Sequence, residues 1–261
     1  MAQTFAFLLI LLGAQFMASS FKICAFNIRN FGKAKAANRK VMGALVQILS
    51  RCDISAVQEV RDFKGSAIRV LLRQLNRMDL VTVTDWCQFG EEDSSPFKAF
   101  VRSPFAARFH SPVTAISDFV LLLHHASPRE TAHELDLLFG VCMELVQRWK
   151  TQNLMVLGDL NASGAYIPAS AWAGIRLRVH LDFHWLIGDK EDTTVSHWTC
   201  CAYDRIIVHG EELLRAVVAR SAKPFNFTHA LGLSEEEALE ISDHYPVEVN
   251  LRLAPRVQRE L

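Results

Sequence analysis

The chain has 261 residues, half of them hydrophobic, and 28 Lys and Arg balance 28 Asp and Glu for a formal net charge of +0. This balance excludes a global basic field that would steer the protein to nucleic acid, so any binding to a polyanion has to be local. Outside the N-terminal segment, no stretch approaches the ~18 uninterrupted apolar residues of a membrane-spanning helix.

The first twenty residues have the pattern of a secretory signal peptide. The apolar run at 5–12 is too short to cross a bilayer, and small residues follow at 18–20. We therefore expect cleavage before Phe21 and a secreted protein. A buried N-terminal helix is the alternative. The remaining residues, 21–261, are enough for one large domain with a well-buried core.

Strand-like and helical patterns alternate along the chain. In chain order they are a strand at 21–28, a helix at 39–49, a strand at 52–60, a helix at 66–77, a strand at 118–125, a helix at 131–150, and strands at 153–161, 203–210 and 245–253. Apolar strands interleaved with helices indicate a layered α/β protein, and the absence of repeats and linkers indicates a single domain.

The six cysteines are scattered rather than arranged as a framework. Cys24, Cys52 and Cys142 lie in apolar periodic segments, where a free buried cysteine behaves as a small hydrophobe. Cys200 and Cys201 are adjacent and cannot easily bridge each other. No CxxC spacing is present, which argues against zinc.

Polar side chains stand at the ends of six of the predicted apolar segments. They are Asn27, Glu59, His125, Asp159 with Asn161, Asp204, and Asp243 with His244. In α/β sheets, the loops at strand ends are where ligand sites collect. We therefore expect these residues to converge.

Their chemistry suits the hydrolysis of a phosphate ester. Carboxylates with an asparagine are ligands for a hard cation such as Mg²⁺. Two histidines beside carboxylates suit proton transfer to and from oxygen near neutral pH. The cation and the amide would stabilise the charge that builds on the phosphoryl oxygens.

Five separated motifs, "ICAFNI", "VQEVRD", "GDLNA", "CAYDRIIV" and "ISDHYPVEV", occur in an order that resembles the deoxyribonuclease I family of the endonuclease/exonuclease/phosphatase superfamily. The runs "FHWLIGDKEDTTV" and "LSEEEALEISDHYPVEV" are most similar to its deoxyribonuclease-I-like protein 1 branch. The resemblance implies a four-layered α/β sandwich of two packed mixed sheets flanked by helices. It also implies a secreted, monomeric endonuclease that uses Mg²⁺ and Ca²⁺ and cuts DNA with little sequence preference.

The resemblance assigns a role to each residue at the strand ends. It implies metal-binding roles for Glu59, Asp243, Asp159 and Asn27, and catalytic roles for His125, His244, Asp204 and Asn161. His244 would be the base, held by Asp204, and His125 would assist the leaving oxygen, although these two roles can be exchanged. His124 is the alternative to His125.

Further residues are assigned around this centre. Arg61 and Arg102 match arginines that contact DNA phosphates in relatives. The alternative is that each is an ordinary solvated arginine with no role in binding. Asp192 and Thr194 resemble a structural Ca²⁺ loop. Of the two glycosylation sequons, at Asn161 and Asn226, we expect only Asn226 to carry a glycan, because Asn161 would be buried in the site.

The chain also departs from the family pattern in two places. Relatives carry additional strands and a Tyr-x-Glu element whose glutamate pairs with the first catalytic histidine, whereas residues 78–100 offer one strand, at 81–84. About thirty residues, equivalent to one hairpin, look absent, and Glu91, Glu92 or Asp93 would be substitute carboxylates.

Relatives also have a cysteine where this chain has Gly164, which leaves Cys201 without its partner. These departures favour, as an alternative, an impaired variant that binds DNA or a protein without cutting. A phosphoesterase acting on lipids or nucleotides is a third reading.

Overall fold

The computed structural model describes residues 6–11, 20–75, 80–90 and 97–255. The strands within these ranges are β1 (Ala6–Leu11), β2 (Phe21–Phe31), β3 (Ile54–Val60), β4 (Thr82–Gln88), β5 (Phe105–His110), β6 (Asp118–Leu123), β7 (Leu154–Asp159), β8 (Phe183–Trp185), β9 (Asp204–His209), β10 (Lys223–Pro224) and β11 (Val247–Leu251). The α-helices in the same ranges are α1 (Lys33–Ala37), α2 (Arg39–Leu49), α3 (Ser66–Gln74), α4 (Thr131–Trp149), α5 (Arg176–Val179), α6 (Glu211–Ala216), α7 (Phe227–Leu231) and α8 (Glu235–Ile241).

The strands form two mixed sheets. One has the order β1-β3-β2-β11-β10 and the other has the order β4-β5-β6-β7-β9-β8. In each sheet one central pair is parallel, β2 with β3 and β6 with β7, and the remaining pairs are antiparallel.

The alternation of side chains along the strands explains the four layers. In β7, Met155 and Leu157 pack between the two sheets, while Leu154 and Val156 pack against the helices outside. Both faces of such a strand are buried, and its sequence is therefore an unbroken apolar run rather than an alternating one. α2, α3 and α8 cover the outer face of the first sheet, and α4 and α5 cover that of the second. The predicted four-layered sandwich is confirmed.

Most of the predicted elements have counterparts in the structure. The helix predicted at 39–49 is α2, which begins after Asn38; the Asn38 side chain accepts hydrogen bonds from the amides of Lys40 and Val41. The strand predicted at 81–84 is β4, which continues to Gln88. Sequence reasoning did not identify β5 or the short strand β8.

The N-terminal segment is described in part. Ala6–Leu11 pairs antiparallel with β3 as the edge strand β1, so it is a strand rather than the alternative helix. The remainder of the predicted signal peptide up to residue 19 lies outside the described residues, and the prediction of its cleavage stays a prediction. Within the described ranges, no helix combines the length and the apolar character needed to cross a membrane.

The expectation that Cys24 and Cys52 are free buried thiols is wrong. The two residues form a disulfide with a Cα–Cα separation of 6.0 Å. Cys24 lies in β2 and Cys52 lies just before β3, and the pairing of these neighbouring strands brings the two side chains together. Cys142 is the fully buried free cysteine that was expected, and burial raises the pKa of its thiol.

Candidate active site

The polar residues predicted at strand ends meet where the same edges of the two sheets lie together. The first sheet contributes Asn27 from β2, Glu59 from β3 and His244 from the segment before β11, and the second contributes His125 after β6, Asp159 from β7 and Asp204 from β9. The carboxyl ends of the parallel strands and the amino ends of the antiparallel strands share this edge. The site is therefore built across the seam between two sheets.

His244, which is partly buried, and the buried Asp204 form a pair across this seam. Nδ1 of His244 lies 2.7 Å from Oδ2 of Asp204, which is fully buried. The backbone amide of Asp204 donates to Oγ1 of Thr193, which fixes the start of β9. Burial alone would lower the pKa of His244, but the carboxylates of Asp204, Asp159 and Asp243 raise it to about 10.

Asp159 is the centre of the site. Its Oδ2 atom lies 3.2 Å from Nε2 of His125, 3.6 Å from Nε2 of His244 and 3.1 Å from Nδ2 of Asn27, which donates to it. Burial by itself would raise the pKa of Asp159, but the two histidines and the amide outweigh burial and hold the pKa well below its usual range. Both histidines therefore face one ionised carboxylate.

Asn27 links the Asp159 carboxylate to that of Glu59, which lies nearer to the solvent-facing side of the site. Asn27 Nδ2 donates to Glu59 Oε1 at 3.2 Å, and the amide of Asn30 donates to Glu59 Oε2 at 2.9 Å. Glu59, Asn30 and Asn161 all have positive φ, which non-glycine residues rarely adopt. Such strained backbone gathers at functional sites, where the surrounding structure enforces it.

The turn that carries His125 is held by side chains from four other segments of the chain. Gln58 donates to the carbonyl of residue 124, Arg102 donates to the carbonyls of residues 125 and 126, and Asn161 donates to the carbonyl of residue 126. Glu134, fully buried in α4, accepts from the amide of residue 127. The carbonyls of residues 124–126 and the amide of residue 127 are thereby fixed in the protein interior.

The neighbouring histidines point to different surroundings. His124 is fully buried, its Nε2 lies 3.0 Å from Oε2 of Glu134, and burial lowers its pKa. His125 instead faces Asp159. This geometry favours His125 as the residue at the site. The substitute carboxylates considered for it, Glu91, Glu92 and Asp93, lie outside the described residues.

Sequence reasoning missed three buried residues that support the site. Gln58 links the sheets, since its Oε1 accepts from the amide of Asp159 while its Nε2 binds the turn at residue 124. Ser242 donates to the carbonyl of Asn27 and accepts from the amide of His244. Glu134 is the third. Gln58 and Glu134 could have been noticed as polar residues inside apolar patterns.

Gly158 allows this close approach of the two sheets. Its φ is +136°, and a Cβ at this position would collide with the side chain of Gln58 and the carbonyl of His124. The two sheets can therefore approach this closely only when the residue before Asp159 is glycine.

The remaining predicted residues lie around the centre. Arg61 is exposed directly after β3, and Arg102 binds the histidine turn. Asp192 Oδ1 accepts from the amide and the hydroxyl of Thr194, so this loop is organised by its own hydrogen bonds. Asn226 is exposed and caps α7 through Oδ1, which leaves its Nδ2 available for a glycan.

The donor set of the site fits a divalent cation. Asp159, Asp204 and His244 place ligand atoms within 4.8 Å of one another, and Oδ1 of Asp204 is a buried oxygen that receives no hydrogen bond from the described residues. Asp243 is half-exposed beside them, with 48% of its side chain accessible. Glu59 joins this set, because Nδ2 of Asn27 donates to both Glu59 and Asp159 and so holds the two carboxylates together. Since Asp204 is paired with His244, the carboxylates of Glu59, Asp159 and Asp243 are the ones left for a hard cation, which prefers such oxygens. Asn27 presents Nδ2 to the carboxylates because its Oδ1 accepts from the amide of Arg29, so in this arrangement Asn27 is a donor.

Gly164 and Cys201 are neighbours, as the family pattern implied. A Cβ placed on Gly164 would lie 3.0 Å from Sγ of Cys201. Cys201 is a free thiol, as are Cys87, Cys142 and Cys200 among the described residues.

Comparison with known proteins identifies the family of the chain. The endonuclease/exonuclease/phosphatase family model matches residues 24–244. The chain is 42% identical to pig deoxyribonuclease-1, with 95% of this chain and 97% of the relative covered. It is 37% identical to human deoxyribonuclease gamma (97% and 92%) and 39% identical to deoxyribonuclease-1-like 1 of Chlorocebus aethiops (95% and 88%).

Solved structures show the same fold at low identity. A humanized D. rerio TDP2 superimposes with a TM-score of 0.61 at 11% identity, covering 90% of this chain and 100% of that one. The human nocturnin catalytic domain superimposes with a TM-score of 0.56 at 14% identity, covering 96% and 98%. The family model and the sequence identity agree, and the chain belongs to the deoxyribonuclease I family of the endonuclease/exonuclease/phosphatase superfamily.

Proposed function

We propose that the chain is a secreted, monomeric endonuclease that hydrolyses DNA phosphodiester bonds with a divalent cation and little sequence preference. The observation that carries this proposal is the placement of His125 and His244 against one buried carboxylate, Asp159, with His244 also paired to Asp204. The deoxyribonuclease relatives support DNA as the substrate.

The two histidines divide the proton transfers of the reaction. With its pKa raised to about 10, His244 is protonated at neutral pH in the cation-free protein, which is the form that gives a proton to a leaving oxygen. To act as the base toward water, it must first lose this proton. Asp204 fixes the ring through Nδ1 in either role, so that Nε2 faces the reaction. His125 takes the complementary step.

Carboxylates and amides organise the phosphate. Glu59, Asp159 and Asp243 would hold Mg²⁺, which supplies positive charge for the phosphoryl oxygens and the attacking water. Asn27 orients the Glu59 and Asp159 carboxylates through its amide nitrogen. Asn161 braces the His125 turn through the carbonyl of Ala126. We assign a supporting Ca²⁺ to the loop at Asp192 and Thr194.

Supercoiled-plasmid nicking tests the proposal. Purified protein with Mg²⁺ and Ca²⁺ should convert supercoiled DNA to open circles, and a chelator or the His244→Ala substitution should stop this conversion. Loss of one member of a coupled acid–base set costs about 10³-fold or more in rate. Nicking that survives in His244→Ala would contradict the assigned chemistry.

An impaired variant that binds DNA without cutting is the second candidate. Two observations support this candidate. The chain lacks the Tyr-x-Glu element of the family, and its Cys201 is a free thiol. A folded, monodisperse protein that binds duplex DNA in a gel-shift assay but never nicks it would favour this candidate. Hydrolysis of small phosphoesters in preference to DNA would favour the third reading instead.

A further inference from the structure

A fully exposed phenylalanine stands on a loop beside the active site. The segment 61–65, called the Phe63 loop here, follows β3 directly, and Phe63 lies four residues beyond Glu59. The Phe63 side chain is 99% exposed, the highest value among the large hydrophobic residues that the structure describes as exposed. Isolated exposed apolar residues are common, so exposure alone decides nothing.

The loop is held rigidly, which separates Phe63 from an ordinary mobile surface residue. The amide of Arg61 donates to the carbonyl of Phe31 at 2.7 Å, which ties the start of the loop to β2. The carboxylate of Asp62 accepts from the amide of Ile68 at 2.8 Å and from the hydroxyl of Ser66 at 3.3 Å. The loop backbone therefore holds the position from which the Phe63 side chain projects, so that binding has little backbone to order.

The charges of the loop are basic. Arg61 and Lys64 are exposed on either side of Phe63, and Arg69 reaches back to donate to the carbonyl of Lys64 at 3.3 Å. The loop's acid, Asp62, keeps its negative charge and accepts hydrogen bonds from α3, which leaves three cationic side chains against one carboxylate. In a chain of zero net charge, this is a local cationic surface, next to a site that has to receive a phosphodiester.

We propose that Phe63 is a DNA-contact residue that packs against a base step near the cleaved phosphate. It would act beside the phosphate contact that the family resemblance already assigns to Arg61, with Lys64 and Arg69 binding the flanking phosphates. The inference rests on the proposed function, because it takes DNA as the substrate of the adjacent site. An apolar wedge partly unstacks a base step, and aromatic stacking tolerates every base. The wedge works best at steps that deform easily, such as TA and CA, and so biases where the chain cuts.

Binding in an inactive background tests this surface independently of cleavage. The His244→Ala protein is titrated with a fluorescent duplex, and Phe63→Ala is added in that background. We expect about 5- to 100-fold weaker binding, the range for loss of one base–aromatic contact. Phe63→Trp should restore it. Leu181→Ala, which removes another exposed apolar side chain (89% exposed), is the matched control and should bind like the background.

Two further measurements identify the contact. A 2-aminopurine in the bound duplex should brighten with His244→Ala and stay quenched when Phe63→Ala is added. Lys64→Ala should lower the salt dependence of binding by about one counterion. On end-labelled DNA, cuts at TA and CA steps should become relatively rarer in the active Phe63→Ala enzyme.

The outcomes separate the two proposals. If Phe63→Ala binds the duplex as tightly as its background, the inference is wrong even when the enzyme nicks plasmid normally. If the wild-type protein never nicks DNA but the Phe63 effect on binding is present, the proposed cutting fails and the contact surface stands. Equal weakening by Leu181→Ala would show a general loss of apolar surface and would overturn the assignment to Phe63.

Discussion

A Gly164→Cys substitution should create a stabilising disulfide with Cys201. The 3.0 Å from a Cβ at position 164 to the Cys201 sulfur is about the spacing that S–S geometry places between a Cβ and the far sulfur. Gly164 lies in the short 3₁₀ turn at Gly164–Tyr166, and Cys201 lies just before β9. The bond would therefore tie the loop after Asp159 to the strand that carries Asp204.

The expected gain follows from two opposing contributions. Closing a loop of about 38 residues restricts the unfolded chain by about 4 kcal/mol. Gly164 has a φ of +60°, and a side chain in this left-handed region costs about 1–2 kcal/mol. The difference predicts a gain of about 2–3 kcal/mol, which for a chain of this size corresponds to about 5–10 °C in Tm.

Thermal or urea unfolding of oxidised and reduced protein measures this gain. Gly164→Ser is the matched control, because it has the same backbone strain without a sulfur and should be destabilised by about 1–2 kcal/mol. Peptide mapping must show the 164–201 bond, because exposed Cys200 is a competing thiol. A mapped bond with an oxidised midpoint no higher than that of Gly164→Ser would refute the reasoning.

Three other predictions concern the site and its support. Asp204→Asn removes the charge that holds His244, and we expect plasmid nicking to fall about 10²- to 10⁴-fold while duplex affinity stays within threefold. Burial lowers the pKa of His124 in the folded state, so its contribution to stability is present above about pH 6.5 and lost as the pH falls. Urea midpoints from pH 7.5 to 5 should therefore fall less steeply in His124→Leu than in wild type, and parallel curves would contradict this. Gln58→Ala removes two buried hydrogen bonds between the sheets and should cost about 2–4 kcal/mol in urea unfolding. Gln58→Glu is similar in size but cannot donate to the carbonyl at residue 124 when ionised, so it should be no more stable than Gln58→Ala.

The sequence patterns were sufficient to predict the layered α/β class and the convergence of polar residues at one edge, and the family resemblance supplied the four layers. Strands such as β7 are unbroken apolar runs because both of their faces are buried, and the polar residue that ends each run marks the shared edge. The pattern of apolar runs and terminal polar residues is therefore enough to assign Asp159 and Asp204 to one site.

The supporting residues could not be predicted in the same way. The roles of Gln58 and Ser242 depend on the facing of strands that are far apart in the chain, and a local pattern does not contain this information. The pairing of Cys24 with Cys52 was missed for a related reason. Apolar surroundings indicate burial, but the bond depends on the pairing of β2 with the start of β3.

The position of the site across the seam has a consequence for how activity is acquired. Asn27, Glu59 and His244 belong to one sheet, and His125, Asp159 and Asp204 belong to the other, so neither half holds a working set. Under the proposed roles, we expect a nascent or partly folded chain whose sheets have not yet docked to be inert toward nucleic acid. Nicking should then begin only when the core is fully assembled, and its onset during refolding would report the final docking of the two sheets.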